Sequence, residues 1–129
     1  MTTQQRFFLG KDDRLKSRKI IDLLFAHGKS FSNFPFKVIW QPADTLQIGI
    51  GVSSRHFRKA TDRNRIKRLV REAWRKQKQE LHTKPGSGVS VFLLYYGNEV
   101  PEYELVHEKI TSVIKRLIKF INEKNQEDT

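Results

Sequence analysis

The stretch Arg63-Asn64-Arg65-Ile66-Lys67-Arg68-Leu69-Val70-Arg71-Glu72-Ala73-Trp74-Arg75 sets the terms for the rest of the chain. At the helical repeat, Ile66, Leu69, Val70, Ala73 and Trp74 share an arc of about 140°. Asn64, Lys67, Arg68, Arg71 and Arg75 share an arc of about 100° on the opposite side, and Arg63 and Arg65 flank the two boundaries. The spacing predicts a helix with an apolar keel and a cationic deck. Such a keel needs a protein core beneath it, and the deck faces away from that core.

Working outward, the flanking segments read as strands. Before the helix, Leu46, Ile48, Ile50 and Val52 alternate with Gln47, Gly49, Gly51 and Ser53. After it, Val89 to Tyr96 is a nearly continuous apolar, β-branched and aromatic run, as expected of an interior strand. Asp62, or Thr61 just before it, is placed to cap the helix, which is expected to run to about Leu81. Lys84-Pro85-Gly86-Ser87-Gly88 then forms a loop. Upstream, Phe34 to Trp40 is a further strand, with Pro35 expected at a strand end or unpaired edge. The connector Gln41 to Thr45 has the length and the residues of a hairpin to the Leu46 strand. Nearer the start, Ile20, Ile21, Leu24 and Phe25 recur at helix spacing from Ser17, with Gly28 as the C-terminal cap. A short extra strand is expected near Phe31. Pro101 opens a last helix whose stripe is Val106, Ile110, Val113, Ile114, Leu117, Ile118 and Ile121. The order α-β-β-(β)-α-β-α predicts an α/β domain of α+β type, a small mixed sheet packed with helices. The chain of 129 residues is expected to be one domain, flexible at about 1–13 and 122–129.

The formal net charge is +11 and the sequence pI about 10.1. Between Arg55 and Lys78 there are eleven cations against Asp62 and Glu72, a local +9, so the charge is a patch. Fields of that size recruit phosphate backbones or anionic surfaces. Like charges three and four residues apart repel by a few tenths of a kcal/mol per pair, which a bound polyanion relieves. Arginine suits the task, since its planar fork makes paired hydrogen bonds to phosphate and also stacks on bases. Asn64 can read a base edge or a backbone hydroxyl, or serve its own helix start. Nucleic acid is therefore the expected partner, with Arg55, Arg58, Lys59, Arg63, Asn64, Arg65, Lys67, Arg68, Arg71 and Arg75 as candidate contacts.

The strand pattern adds a second surface. Phe34, Phe36, Val38, Trp40, Val89, Val91, Leu93 and Tyr95 fall on a heavily apolar sheet face. Lys37, Ile39, Ser90, Phe92, Leu94 and Tyr96 fall on a lighter one with the glycines of the Leu46 strand. That face can be an open trough for a single strand of nucleic acid, or Phe92 and Tyr96 can meet another helix.

Several function classes drop out. There is no cysteine, so disulfides, thiolate chemistry and cysteine-ligated zinc are excluded. Gly49-Ile50-Gly51 lacks the third glycine of a dinucleotide fingerprint, and no Walker-type phosphate loop occurs. His27, His56, His82 and His107 lie too far apart for metal-ligand spacing, and no catalytic carboxylate pair is apparent, so no catalytic residue and no protein metal site are expected. Met1 to Arg14 lacks the apolar run of a signal peptide, and no segment approaches a membrane span, so a cytoplasmic protein without membrane contact is expected.

At Lys59-Ala60-Thr61-Asp62-Arg63-Asn64-Arg65-Ile66-Lys67-Arg68-Leu69-Val70-Arg71-Glu72 the chain resembles the protein component of bacterial ribonuclease P. Arg14-Leu15-Lys16 with Phe25-Ala26-His27-Gly28 resembles that family's first helix. Ile48 to Ser53 resembles the strand before its signature, and Tyr103-Glu104 the start of its last helix. The resemblance implies a two-layer α/β sandwich with a left-handed crossover around the basic helix, against the usual right-handed rule. It also implies an accessory subunit of a ribonucleoprotein endoribonuclease. The catalyst there is the ribonuclease P RNA with bound Mg2+, which removes the 5′ leader of precursor tRNA to leave the mature 5′ end. No obligate protein partner is expected. Arg63, Asn64, Arg65, Lys67, Arg68 and Arg71 match the signature contacts. Ile21, Phe25, Lys37 and Ile39 match a cleft that grips the leader, to which the sheet reading adds Phe92 and Tyr96.

The chain also departs from the family. Ser54-Arg55-His56-Phe57-Arg58 stands where many relatives carry Ser-Lys-Lys and a glycine, which predicts a stiffer loop. Ile21 and Ile39 stand where aromatics are common, and Tyr96-Gly97 replaces a more usual Arg-Pro. The alternatives are a ribosomal or RNA-chaperone protein without a catalytic RNA, and a DNA-binding regulator, which would need helix-turn-helix spacing.

Overall fold

The computed structural model describes residues 18–43, 45–77 and 88–127, with side chains to Ile121. Helix α1, Arg18–His27, ends as its glycine suggests, the Gly28 amide donating to Leu24 O at 2.7 Å. Strands β1, Lys29–Asn33, β2, Phe36–Ala43, and β3, Gln47–Val52, follow. Helix α2, Ala60–Gln77, strand β4, Gly88–Tyr95, and helix α3, Tyr103–Glu127, complete the order. The expected extra strand at Phe31 is therefore present as β1. The stretches 1–13 and 78–87, with the expected helix end near Leu81 and the loop after it, lie outside the described residues. Helix α3 continues through Asn122 to Glu127, and Pro101 stands two residues ahead of it.

The sheet order is β1-β2-β4-β3. Strand β4 pairs antiparallel with β2 and parallel with β3, so β2 and β3 do not form the expected hairpin. The cause is visible at both ends of the connector. Pro42 stays in β2, opposite Val89, and Ala43 reaches Gly88. The chain then steps across the start of β4: a Cβ on Gly88 would lie 2.3 Å from the backbone carbon of Thr45 and 2.6 Å from its Cα. Only glycine admits that crossing. Because β3 and β4 are parallel neighbours, a crossover element is required between them, and α2 is that element.

Alternation along the strands sorts the side chains onto two faces. Phe36, Val38, Trp40, Ile48, Val89, Val91, Leu93 and Tyr95 form the main core with α2 and α3. Helix α2 contributes Ile66, Val70, Ala73 and Trp74, and α3 contributes Val106, Ile110, Val113, Ile114 and Leu117. Trp74 is 1 % exposed. Burying a large side chain of this kind contributes roughly 1.5–3 kcal/mol. Helix α3 also clamps the sheet edge, where Phe120 meets both Phe31 and Trp40 and Arg116 Nη1 donates to Ser32 O at 2.8 Å. Gln77, at the described end of α2, donates to His107 O at 3.2 Å and accepts from Thr111 at 2.5 Å, which satisfies a buried amide between the two helices.

The other sheet face is lighter, as the sequence predicts, and α1 lies across part of it. Leu24 and Ile39 form a second small core, with Ile20, Ile21 and Phe92 packed around it. Phe34 departs from its expected place beside Phe36. It occupies the turn between β1 and β2, before a cis peptide bond to Pro35, and is 61 % exposed.

Replacing Gly88 by Ala should lower stability by about 1–3 kcal/mol, because the new methyl meets backbone that has no rotamer to yield. A denaturant titration of Gly88→Ala against the wild type measures it.

Candidate nucleic-acid interface

The cationic residues sit on two connected pieces, the loop from Ser53 to Lys59 and the outer side of α2. The loop is held from both ends. Ser53 N donates to Tyr95 O at 3.1 Å, extending the β3–β4 ladder by one bond. Phe57 is buried against Tyr95, their ring centroids 6.0 Å apart. Arg63 Nη1 donates to both Phe57 O and Arg58 O at 2.8 Å. His56 Nδ1 lies 3.1 Å from Tyr96 O and 3.2 Å from Gly97 O, which places its proton there. Hydrogen bonds at both ends and the buried Phe57 ring thus hold Ser54 to Arg58 in place. Arg55, Arg58 and Lys59 are exposed on this fixed loop.

Helix α2 begins at Ala60, ahead of the expected Thr61 or Asp62 cap, and Arg63 N donates to Lys59 O at 3.2 Å. Of the keel, Ile66, Val70, Ala73 and Trp74 are buried as the spacing predicts, and Leu69 is half-buried against the same core. On the deck, Asn64, Arg65, Arg68 and Arg71 are exposed, and Lys67 is half-buried. Arg63 is half-buried, with one guanidinium nitrogen committed to the preceding loop. Arg75 also differs from its neighbours. Its side chain is 14 % exposed and its guanidinium forks onto the Glu72 carboxylate, through Nε at 3.3 Å and through Nη2 to Oε1. Lys76 Nζ lies 3.7 Å from the same carboxylate. The Arg75 hydrogen bond holds the Glu72 carboxyl below its ordinary 4.5. The first two turns and the loop therefore present positive charge, while Glu72 moderates the last turns.

The lighter sheet face starts from the same end of the molecule. Its side chains fall in rows across the strands. Ser30, Ile39, Phe92 and Gly49 share one row, and Ser32, Lys37, Leu94 and Gly51 the next. Helix α1 covers the first row: Ile39 is 5 % exposed and lies under Leu24. Ile39 is therefore buried support and offers a ligand no surface, and Phe92 is half-buried with Phe25 edge-on at 5.1 Å. Gly51 makes room for the Phe92 ring, since a Cβ there would come within 2.9 Å of Phe92 Cζ. The second row is open. Lys37 and Phe25 are exposed, the latter by 52 %, and Ile21 and Tyr96 are half-buried. The result is a shallow open trough on the sheet, flanked by α1 and running toward Tyr96 at the end of β4. Chemically it offers apolar ring surface and one lysine, with the loop cations fastened to Tyr96 by His56.

Two residues that frame this surface carry weaker sequence signals. Phe57 is the lone aromatic in a cationic loop, which marks an anchor. Phe34 precedes a proline, and that breaks the strand alternation that had assigned it inward. Among the described residues no cluster of three or more His, Cys, Asp or Glu could hold a metal ion, and no helix is long and apolar enough to cross a membrane.

The family profile described as Ribonuclease P matches residues 9–118. The ribonuclease P protein component of Porphyromonas gingivalis W83 is 29% identical over 125 residues, covering 91% of each chain. That of Thermotoga petrophila is 33% identical over 112 residues, covering 81% of this chain and 92% of its own. Among solved structures, the RNase P protein of Thermotoga maritima superposes with a TM-score of 0.68 at 31% identity, covering 80% of this chain and 96% of that one. The Staphylococcus aureus RNase P protein shares the fold, with a TM-score of 0.64 at 22% identity and coverage of 81% and 94%.

The Glu72–Arg75 pair predicts a pH dependence. A carboxyl held low in the folded state adds stability above its ordinary 4.5 and loses it as pH falls through the lowered value. Glu72→Gln should therefore be less stable than wild type at pH 7 by a few tenths of a kcal/mol, as for partly exposed helix pairs, and equal to it near pH 2. Unfolding midpoints at the two pH values read the difference.

Proposed function

This chain belongs to the family of ribonuclease P protein components, and on that premise we propose that it binds the ribonuclease P RNA and the 5′ leader of precursor tRNA. The cationic loop and the first two turns of α2 take the RNA, and the trough beside Tyr96 takes the unpaired leader. The observation that carries this reading is the rigid continuity of the two surfaces: His56 binds the carbonyls of Tyr96 and Gly97 within the loop that carries Arg55 and Arg58. The family is that of a subunit of an endoribonuclease complex. We place the hydrolytic centre in the RNA, since the surface described here supplies guanidinium and ammonium groups, an amide and aromatic rings, and no arranged acid–base pair. On that reading the Mg2+ expected of this enzyme belongs with the RNA.

The protein's contribution is then positional. Arg65 and Arg68, on the exposed deck, neutralise RNA phosphates. Lys37 and Phe25 border the leader, and Ile39 holds the trough floor from below. The family match favours work on precursor tRNA over a ribosomal or chaperone role, and we place that work in the cytoplasm.

Reconstitution tests this directly. The protein added to a ribonuclease P RNA should stimulate cleavage of precursor tRNA at low magnesium, and no stimulation over RNA alone would defeat the proposal. Arg65→Ala should weaken RNA binding and reduce the salt slope of log K by about 0.7–0.9, one phosphate contact's share, in a filter-binding titration.

A further inference from the structure

We propose that Phe34, with Tyr96 beside it, is a stacking platform for one unpaired nucleobase at the end of the trough, a site that rests on the leader-binding reading above. Phe34 is the most exposed of the large hydrophobic side chains described, at 61 %. A single exposed apolar residue is ordinary on any protein. Here three further observations give it a partner. The Tyr96 ring meets it edge-to-face, centroids 5.3 Å apart and planes at 83°, so the pair forms a corner of two aromatic faces. The corner is preorganised: Tyr96 N donates to Pro35 O at 2.9 Å, and His56 Nδ1 binds Tyr96 O on the other side. The β1–β2 turn, the end of β4 and the cationic loop are thus one unit, and a ligand need not order them first.

Charge then selects the ligand and the path. Arg55, Arg58 and Lys59 belong to the loop that His56 fastens to Tyr96, so phosphates flanking a stacked base meet cations on that side. On the far side Phe34 borders a groove of about 760 Å³ where Glu99 and Glu102 stand with Leu105 and Lys109. Those carboxylates oppose phosphate. A single strand therefore stacks at Phe34 and turns toward the loop, away from the groove. Aromatic stacking of this kind tolerates any base, so the site adds affinity and reach with little sequence preference.

The test uses holoenzyme reconstituted with a ribonuclease P RNA, and precursor tRNA carrying an abasic residue at each leader position in turn. Phe34 lies in an exposed turn, so Phe34→Ala should fold as wild type does. At one leader position the abasic substitution should weaken wild-type binding about tenfold and leave Phe34→Ala unaffected, the loss expected of one stacked base. Phe34→Trp should keep the wild-type profile, and the salt slope should stay the same in all three, because no phosphate contact is lost. If every abasic position affects Phe34→Ala as it affects wild type, the platform is overturned while leader binding stands. If wild-type holoenzyme gains no affinity from any leader, the leader-binding reading fails and the platform with it. A wild-type self-association that Phe34→Ala abolishes, with an unchanged abasic profile, would instead assign the corner to contact between copies and overturn the proposal.

Discussion

Burial of Ile66, Val70, Ala73 and Trp74 between β3 and α3 is the contact on which the other elements depend. Helix α2 is the link between two parallel neighbours, β3 and β4, and a parallel pair exists only when its crossover packs back onto the sheet. Remove the keel and β4 loses its reason to lie between β2 and β3. The same burial fixes the rotation of α2 about its axis. With the keel inward, Asn64, Arg65, Arg68 and Arg71 have no direction but outward. The position of the cations follows from packing of the apolar side chains.

That dependence explains how the sequence could be read and where it could not. The keel and deck of α2, the interior character of Val89 to Tyr95, the faces of β3 and the stripe of α3 were legible because each is a periodicity, and burial follows periodicity. Strand neighbours are a different matter. The Gln41 to Thr45 connector has hairpin length, yet Pro42 stays paired with Val89 and Thr45 passes against Gly88. Which strand intervenes is decided by the crossover helix far along the chain, and local turn chemistry does not contain it. Phe34 failed for a local reason, since the Pro35 turn interrupts the alternation that had paired it with Phe36. Ile39 was named for the trough through family resemblance. The structure buries it under Leu24, a consequence of where α1 lands on the sheet.

The deck itself is graded in a way that a count of charges hides. Arg63 spends one nitrogen on the carbonyls of Phe57 and Arg58, and Arg75 forks onto Glu72. Both arginines therefore help set the frame from which Arg55, Arg58, Arg65 and Arg68 project. A long flexible cation loses side-chain freedom on binding, and a fixed loop and helix reduce how much more must be lost. Placing the cations on rigid backbone, and the trough in the same unit through His56, is what a subunit that positions RNA requires. On the proposed function, chemistry on the scissile bond is not asked of these residues.

On the proposed function the keel and the deck of α2 act independently, one holding the fold and the other RNA. The direct measurement is a pair of readings on one variant, Arg65→Gln with Arg68→Gln: the unfolding free energy, and the affinity for a ribonuclease P RNA at fixed salt. Stability should be unchanged or slightly raised, since like-charge repulsion along the helix falls. Affinity should fall by about tenfold or more. Stability and affinity falling together, or affinity holding while the charges are gone, would contradict that independence.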